Sequence, residues 1–148
     1  MFEIKEYREE MKPELFALTD RCFAQCGKVF EPSGRHEFYN DIAHSFVQFW
    51  CLFDGGVMIG TVGLKELSEG KCELKALYLD EKNQGCGLGR RLAEAAIDFA
   101  RAQGYAEMYL DCMSSSVNAV ALYEKLGFHK TAKYNKNNFA DIFMKMAL

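Results

Sequence analysis

Apolar and polar positions follow two rhythms along this chain, and the switches between them divide it into elements. Residues 2–7 alternate, with Phe2 and Ile4 set against Glu3 and Lys5, which predicts a first strand. From 11 to 22, Leu15, Leu18 and Cys22 recur at helical spacing, and Pro13 suits a first helical turn. Residues 27–34, with Phe30 and Pro32 between glycines, predict a loop, and 35–43 a second, short helix. Two dense apolar runs, 46–53 and 57–65, flank Asp54-Gly55-Gly56, the composition of a hairpin turn. Glu69-Gly70-Lys71 turns the chain into a third run, 72–79.

The second half contains the best-defined helix. Leu88, Leu92, Ala95, Ala96, Phe99 and Ala100 make one apolar stripe, Arg91, Glu94, Asp98 and Arg101 face outward, and Gly104 closes the element. Residues 108–113 predict a strand, Val117–Leu126 a helix ended by Gly127, and 128–134 with 139–146 a final strand pair. The order is that of an α/β protein with a mixed sheet: a largely antiparallel front half, then a strand-helix-strand unit. No linker, repeat or low-complexity stretch interrupts residues 1–148, and the length suits a single domain.

Candidate chemistry concentrates at Gln84-Gly85-Cys86-Gly87-Leu88-Gly89-Arg90-Arg91, between the 72–79 run and the amphipathic helix. Three glycines in five positions let backbone approach a ligand closely. The helix start behind them offers unpaired N–H groups and the positive end of the helix dipole, so the segment forms an anion cradle suited to a phosphate or pyrophosphate. No Lys-Ser or Lys-Thr follows, which excludes a P-loop, and Gly-x-Gly-x-Gly departs from the dinucleotide fingerprint.

Gln-x-x-Gly-x-Gly, filled by Gln84, Gly87 and Gly89, resembles the acetyl-CoA pyrophosphate loop of the GNAT superfamily of N-acetyltransferases. Farther on, Asn118 followed by Leu122-Tyr123 and Gly127-Phe128 resembles a second signature of that family, in family order. The resemblance is clearest from 49 to 146. It implies the GNAT fold: a central, mostly antiparallel sheet in which two parallel strands splay apart, flanked by about four helices, with acetyl-CoA entering the gap as co-substrate and no metal.

The resemblance also implies roles. The backbone of Leu77, Tyr78 and Leu79 pairs with the pantetheine arm, and Gln84, Gly85, Cys86, Gly87, Leu88, Gly89 and Arg90 hold the pyrophosphate, with Arg90 or Arg91 adding charge. Asn118 contacts the pantetheine amides. Tyr123 is the candidate general acid for the departing thiolate, a task that suits a phenol whose proton is present at neutral pH. Glu73 is the candidate base, and a carboxylate takes a proton from an ammonium there only when buried or joined to it by a water chain. By simple alternation Glu73, Lys75, Leu77 and Leu79 share a face, unless a bulge intervenes. A backbone amide near such a bulge is the expected oxyanion donor.

Phe30, His36, Phe38, Trp50 and Tyr134, with the loop 134–138, are candidates for the wall of an acceptor pocket. The activity implied is acetyl transfer from acetyl-CoA to a primary amine by direct attack in a ternary complex. The alternative is an acyl-CoA-binding sensor or interaction module of the same fold. A small-molecule or peptide amine is the expected partner, and family members often form homodimers.

Composition changes this picture little. Eighteen basic and 21 acidic residues give a formal net charge of −3, with no basic footprint for nucleic acid or a membrane surface. The first residues lack a signal-peptide pattern and no apolar run approaches membrane-spanning length, so a cytoplasmic location is expected. The six cysteines show neither Cys-x-x-Cys nor zinc-site spacing and are expected to be reduced. Cys86 differs from the others by lying in the anion cradle. His36 and His44 have no metal partner at credible spacing, and His129 sits at a strand start.

Overall fold

The computed structural model describes residues 1–148. Its centre is one seven-stranded sheet with strands β1 (Phe2–Glu6), β2 (Gln48–Asp54), β3 (Val57–Ser68), β4 (Lys71–Leu79), β5 (Glu107–Cys112), β6 (His129–Lys130) and β7 (Ile142–Ala147). The spatial order is β1-β2-β3-β4-β5-β7-β6, and every pairing is antiparallel except β4 with β5. Four α-helices flank it: α1 (Lys12–Gln25), α2 (Ile42–Ser45), α3 (Leu88–Ala102) and α4 (Val117–Leu126).

The sheet separates two apolar cores. Leu15, Leu18 and Cys22 of α1 pack with Phe49, Cys51 and Phe53 of β2 on one face. Leu88, Leu92, Ala96 and Ala100 of α3 pack with Trp50, Leu52, Val62 and Leu64 on the other. Successive β2 side chains therefore enter opposite cores, which is why that run reads as continuously apolar. Burial of each large aliphatic chain contributes on the order of 1.5–3 kcal/mol, so the α3 stripe alone fixes that helix to the sheet.

The parallel ladder is short. It joins Lys71 to Glu107, Cys72 to Met108 and Glu73 to Tyr109, and then stops, although β4 continues to Leu79. Beyond Glu73 the two strands diverge. On the other edge of β4 the register with β3 slips: Thr61 faces Tyr78 and Gly63 faces Lys75, so Val62 opposes both Ala76 and Leu77. Ala76 takes up the extra length at φ +56°, the only non-glycine residue with positive φ. That conformation costs an alanine roughly 1–2 kcal/mol, and the Thr61 hydroxyl, donating to the Ala76 carbonyl at 2.8 Å, helps to hold it.

Three expectations are corrected. The predicted helix over 35–43 is a 3-10 segment, Glu37–Asp41, followed by the single-turn α2, whose start is capped by the Asp41 carboxylate accepting from His44 N–H. The predicted strand over 128–134 holds only two ladder residues: Thr131 N–H still donates to the Phe143 carbonyl at 2.8 Å, and the chain then turns away, with Tyr134 and Asn135 bonded to Glu73. Trp50 belongs to the α3-side core, edge-on to Phe99 at 5.3 Å, and takes no part in the cavity described below. All six cysteines are free thiols. No helix is long and apolar enough to cross a membrane.

Gly63 tests the packing of β3. A Cβ there would meet the Phe46 ring at 2.6 Å and the Phe49 ring at 2.9 Å. Gly63→Ala is expected to cost about 1–3 kcal/mol in urea unfolding, the usual range for overpacking a core.

Candidate active site

Where β4 and β5 part, a cavity of about 450 Å3 opens, bounded by Leu74 to Tyr78 on one strand and Asp111 to Met113 on the other. Its volume lies in the range of small-molecule sites. Below the last parallel pair the sheet is closed; above it, the edge of β4 that faces β5 has no strand partner. Such an edge can accept an extended amide-bearing chain as though it were another strand.

The bulge decides what faces the cavity. Cys72 and Leu74 enter the α3-side core, and beyond Ala76 it is Leu77 and Leu79 that pack there, while Ala76 and Tyr78 pack with the α1 side. The extra residue thus puts Glu73 and Lys75 on the opposite face from Leu77 and Leu79. The shared face expected from unbroken alternation is replaced by this arrangement, through the bulge named as its exception.

At the mouth, Gln84 to Gly89 lead into α3. Gly87 caps the helix at φ +84° and Gly85 stands at φ +86°, conformations that an L side chain rarely adopts. A Cβ built on either would meet nothing within 4 Å, so the surface above this turn is open to a ligand. The α3 amides behind Gly87 complete an anion cradle that fits a pyrophosphate. Gln84 points its amide back to the Leu79 carbonyl at 3.0 Å and so ties the turn to the end of β4. Cys86 is exposed, its thiol directed at the Asn83 carbonyl at 3.2 Å. Arg90 is exposed and paired with Glu94 at 2.8 Å.

A clamp unseen in the sequence fixes this turn. Asp80, the residue after β4, is 3% exposed and accepts from Arg21 Nε at 2.8 Å and Gln25 Nε2 at 3.1 Å, both on α1. Gln25 Oε1 of the same side chain in turn accepts from Glu81 N–H at 3.0 Å. Burial alone would push the Asp80 carboxyl up; the hydrogen bonds from Arg21 and Gln25 and the Arg21 charge outweigh it and hold it below the usual carboxylate range.

Tyr123 enters the cavity from α4. The helix ends in a Schellman motif: Phe128 N–H bonds the Tyr123 carbonyl and Gly127 N–H the Glu124 carbonyl, with Gly127 at φ +110°. The motif brings the Tyr123 and Phe128 rings edge to face at 5.9 Å. The Tyr123-to-Phe128 sequence pattern therefore has a mechanical reason, since it locks the tyrosine in place. The phenol makes no hydrogen bond within the chain, and burial, followed by the nearby Cys112, Tyr78 and Asp111, raises its pKa well above that of a free tyrosine. It keeps its proton at any physiological pH.

Glu73 lies at the closed end of the splay and is 6% exposed. Its Oε2 accepts from the Tyr134 hydroxyl at 2.5 Å and from Asn135 Nδ2 at 3.2 Å. The same Asn135 amide donates to Asp111 Oδ2 at 2.6 Å, so one side chain bridges two carboxylates. Asp111 borders the cavity, whereas Glu73 does not. Asp111 was legible in principle: it alternates with Met108 and Leu110 of the core and shares the Tyr109 face. Asn118 stands exposed in the first turn of α4 and does not border the cavity, whereas Ser116 and Ala119 do. Of the proposed acceptor wall, His36 and Phe38 border the cavity with Asn137 and Asn138; Phe30 sits behind them among Phe16, Phe23 and Tyr39.

Splayed strands, a glycine turn on a helix N-terminus and a buried tyrosine between them define a site for a ligand with an anionic head and an extended arm. Comparison with known proteins gives the family and the fold. Residues 8–128 match the acetyltransferase (GNAT) family, and the chain belongs to that family. It is 32% identical over 105 residues to a probable N-acetyltransferase family 8 member 5 of Mus musculus, covering 65% of this chain and 46% of that protein. The chain spans about half the length of the curated relatives it matches. Its fold is similar to an acetyltransferase of the GNAT family from Staphylococcus aureus Mu50, with TM-score 0.91, 20% identity and 99% of both chains covered. It is also similar to the PaiA N-acetyltransferase from Thermoplasma acidophilum in complex with coenzyme A, at TM-score 0.82 and 19% identity, covering 100% and 99% of the two chains.

The Asp80 clamp has a pH signature. Because the folded state lowers this carboxyl, its contribution is present above the unfolded value of about 4 and is lost as pH falls through the folded one. Asp80→Asn is expected to lose about 1–3 kcal/mol at pH 7, with the difference from the parent shrinking in denaturation curves taken progressively below pH 4.

Proposed function

We propose that this chain, acting as a single domain, transfers an acetyl group from acetyl-CoA to a primary amine that attacks directly in a ternary complex. The observation that carries this reading is a protonated tyrosine without a protein partner in the gap between strands whose free edge leads to an anion cradle. A module that merely binds an acyl-CoA needs the edge and the cradle but no proton donor in the gap.

The co-substrate supplies an activated acyl group as a thioester. The backbone of Leu77, Tyr78 and Leu79 is available to pair with the pantetheine arm, and the turn Gly85, Cys86, Gly87, Leu88, Gly89 and Arg90 to hold the pyrophosphate. Asn118, at the start of α4, is assigned to the arm on resemblance alone. The left-handed residue Ala76 redirects the amides that follow it, which makes the Leu77 to Leu79 backbone the natural donor to an oxygen that gains charge. Tyr123 gives its proton to the departing sulfur.

Proton removal from the amine is assigned to Glu73, reached through the cavity-lining Asp111 and water. The Asn135 bridge supports this route by keeping the two carboxylates together. Tyr134 and Asn135 keep Glu73 oriented by donating to its Oε2.

The test is release of coenzyme A thiol from acetyl-CoA across a panel of amines, amino acids and peptides. Acceptor-dependent release is expected. Tight coenzyme A binding without it would favour the sensor reading, and no binding would remove both. Tyr123→Phe is expected to lower turnover by about 100-fold or more, as loss of a general acid does, while leaving coenzyme A affinity within about twofold. Unchanged turnover at saturating substrates would remove Tyr123 from the reaction.

A further inference from the structure

The cavity carries charge of the opposite sign to the molecule. Lys28, Arg35, Lys75 and Lys136 border it against a single carboxylate, Asp111, in a chain whose formal net charge is −3. None of the four takes part in a salt bridge. Three lie on aromatic rings instead: the Arg35 guanidinium is 3.5 Å from the centroid of Phe139, Lys28 Nζ is 5.8 Å from those of Phe23 and Tyr78, and Lys75 Nζ is 5.8 Å from that of Phe38. Aromatic faces position a cation without neutralising it. These side chains therefore hold positive charge in the gap with no internal partner.

The anionic end of the co-substrate does not account for them. None belongs to the glycine turn or to α3, and the β4 alternation puts Lys75 on the α1 side of the sheet, away from the core that α3 covers. His36 agrees with this distribution. Its Nδ1 accepts from Glu31 N–H at 2.9 Å, so the neutral ring carries its proton on Nε2, which has no partner in the chain. Burial first, then the charge of Arg35, with Lys28 and Lys75 adding to it against Glu31, lowers its pKa and keeps the ring a neutral donor.

We propose that the acceptor is a small amine that also bears a carboxylate, with the carboxylate lying among Lys28, Arg35 and Lys75 and the amine turned toward Asp111. The proposal rests on the reading of this cavity as the acceptor site. Opposite charges at the two ends of one gap would orient a zwitterion and so bring the amine, rather than the acid, to the thioester.

Binding tests this without needing turnover. With the protein saturated in coenzyme A, calorimetry would compare a set of N-acetyl-L-amino acids with their carboxamides. The acids are expected to bind about tenfold or more tightly, the worth of a charge-assisted hydrogen bond. Lys75→Gln and Arg35→Gln should each reduce that preference, and Lys75→Arg should restore most of it. Equal binding of acids and carboxamides, no binding of either, or a preference indifferent to both glutamine variants would overturn the proposal. Thiol release separates this from the underlying reading. Equal transfer to amino acids and to their amides would overturn the carboxylate requirement and leave acetyl transfer standing. A carboxylate preference in binding, with no amine acetylated, would keep the anion site and overturn catalysis.

Discussion

The site depends on a parallel ladder that ends too early. Three residue pairs join β4 to β5, and then the strands separate while each remains held on its other side, β4 by β3 and β5 by β7. Neither strand can close the gap without breaking antiparallel pairing, so the opening is part of the fold and does not require a moving part. A row of β4 amides and carbonyls is left for a ligand to satisfy. The bulge at Ala76 completes the constraint, since it exchanges the faces of β4 at the level where the gap begins. Glu73 and Lys75 are thereby directed to the α1 side and Leu77 and Leu79 to the core beneath α3.

Two further devices fix the ends of the gap. The carboxylate of Asp80 ties the end of β4 to Arg21 and Gln25 of α1, and the Gln84 amide ties the glycine turn to the same strand end. The anion cradle thus has a set distance from the bulge. Opposite them, the Schellman turn of α4 locks Tyr123 against Phe128. Cradle, bulge and tyrosine come from three segments, and each is positioned by hydrogen bonds in which backbone takes part.

Features that rest on local rules were legible in the sequence. The α3 stripe, the glycine turn before it and the Leu122-Tyr123, Gly127-Phe128 pattern each lie within one short continuous stretch of chain, where spacing determines geometry. What was hidden depends on contacts across the chain. Tyr134 and Asn135 reach Glu73 from 61 and 62 residues away, and Arg21 reaches Asp80 from 59. The placement of Trp50 was obscured for another reason: β2 is buried on both faces, so its pattern has no polar side to indicate which core each residue enters. The strand over 128–134 was overestimated because its apolar pattern does not show that Tyr134 and Asn135 turn to Glu73.

The central claim is that the gap between β4 and β5, with the turn before α3, receives coenzyme A. The most direct measurement follows backbone amide NMR shifts while coenzyme A is titrated into the protein. Saturable binding is predicted, with the largest changes at residues 74–79 of β4 and 85–91 of the turn, and smaller ones at the start of α4. Absence of binding, or changes confined to surfaces away from the splay, would contradict the account.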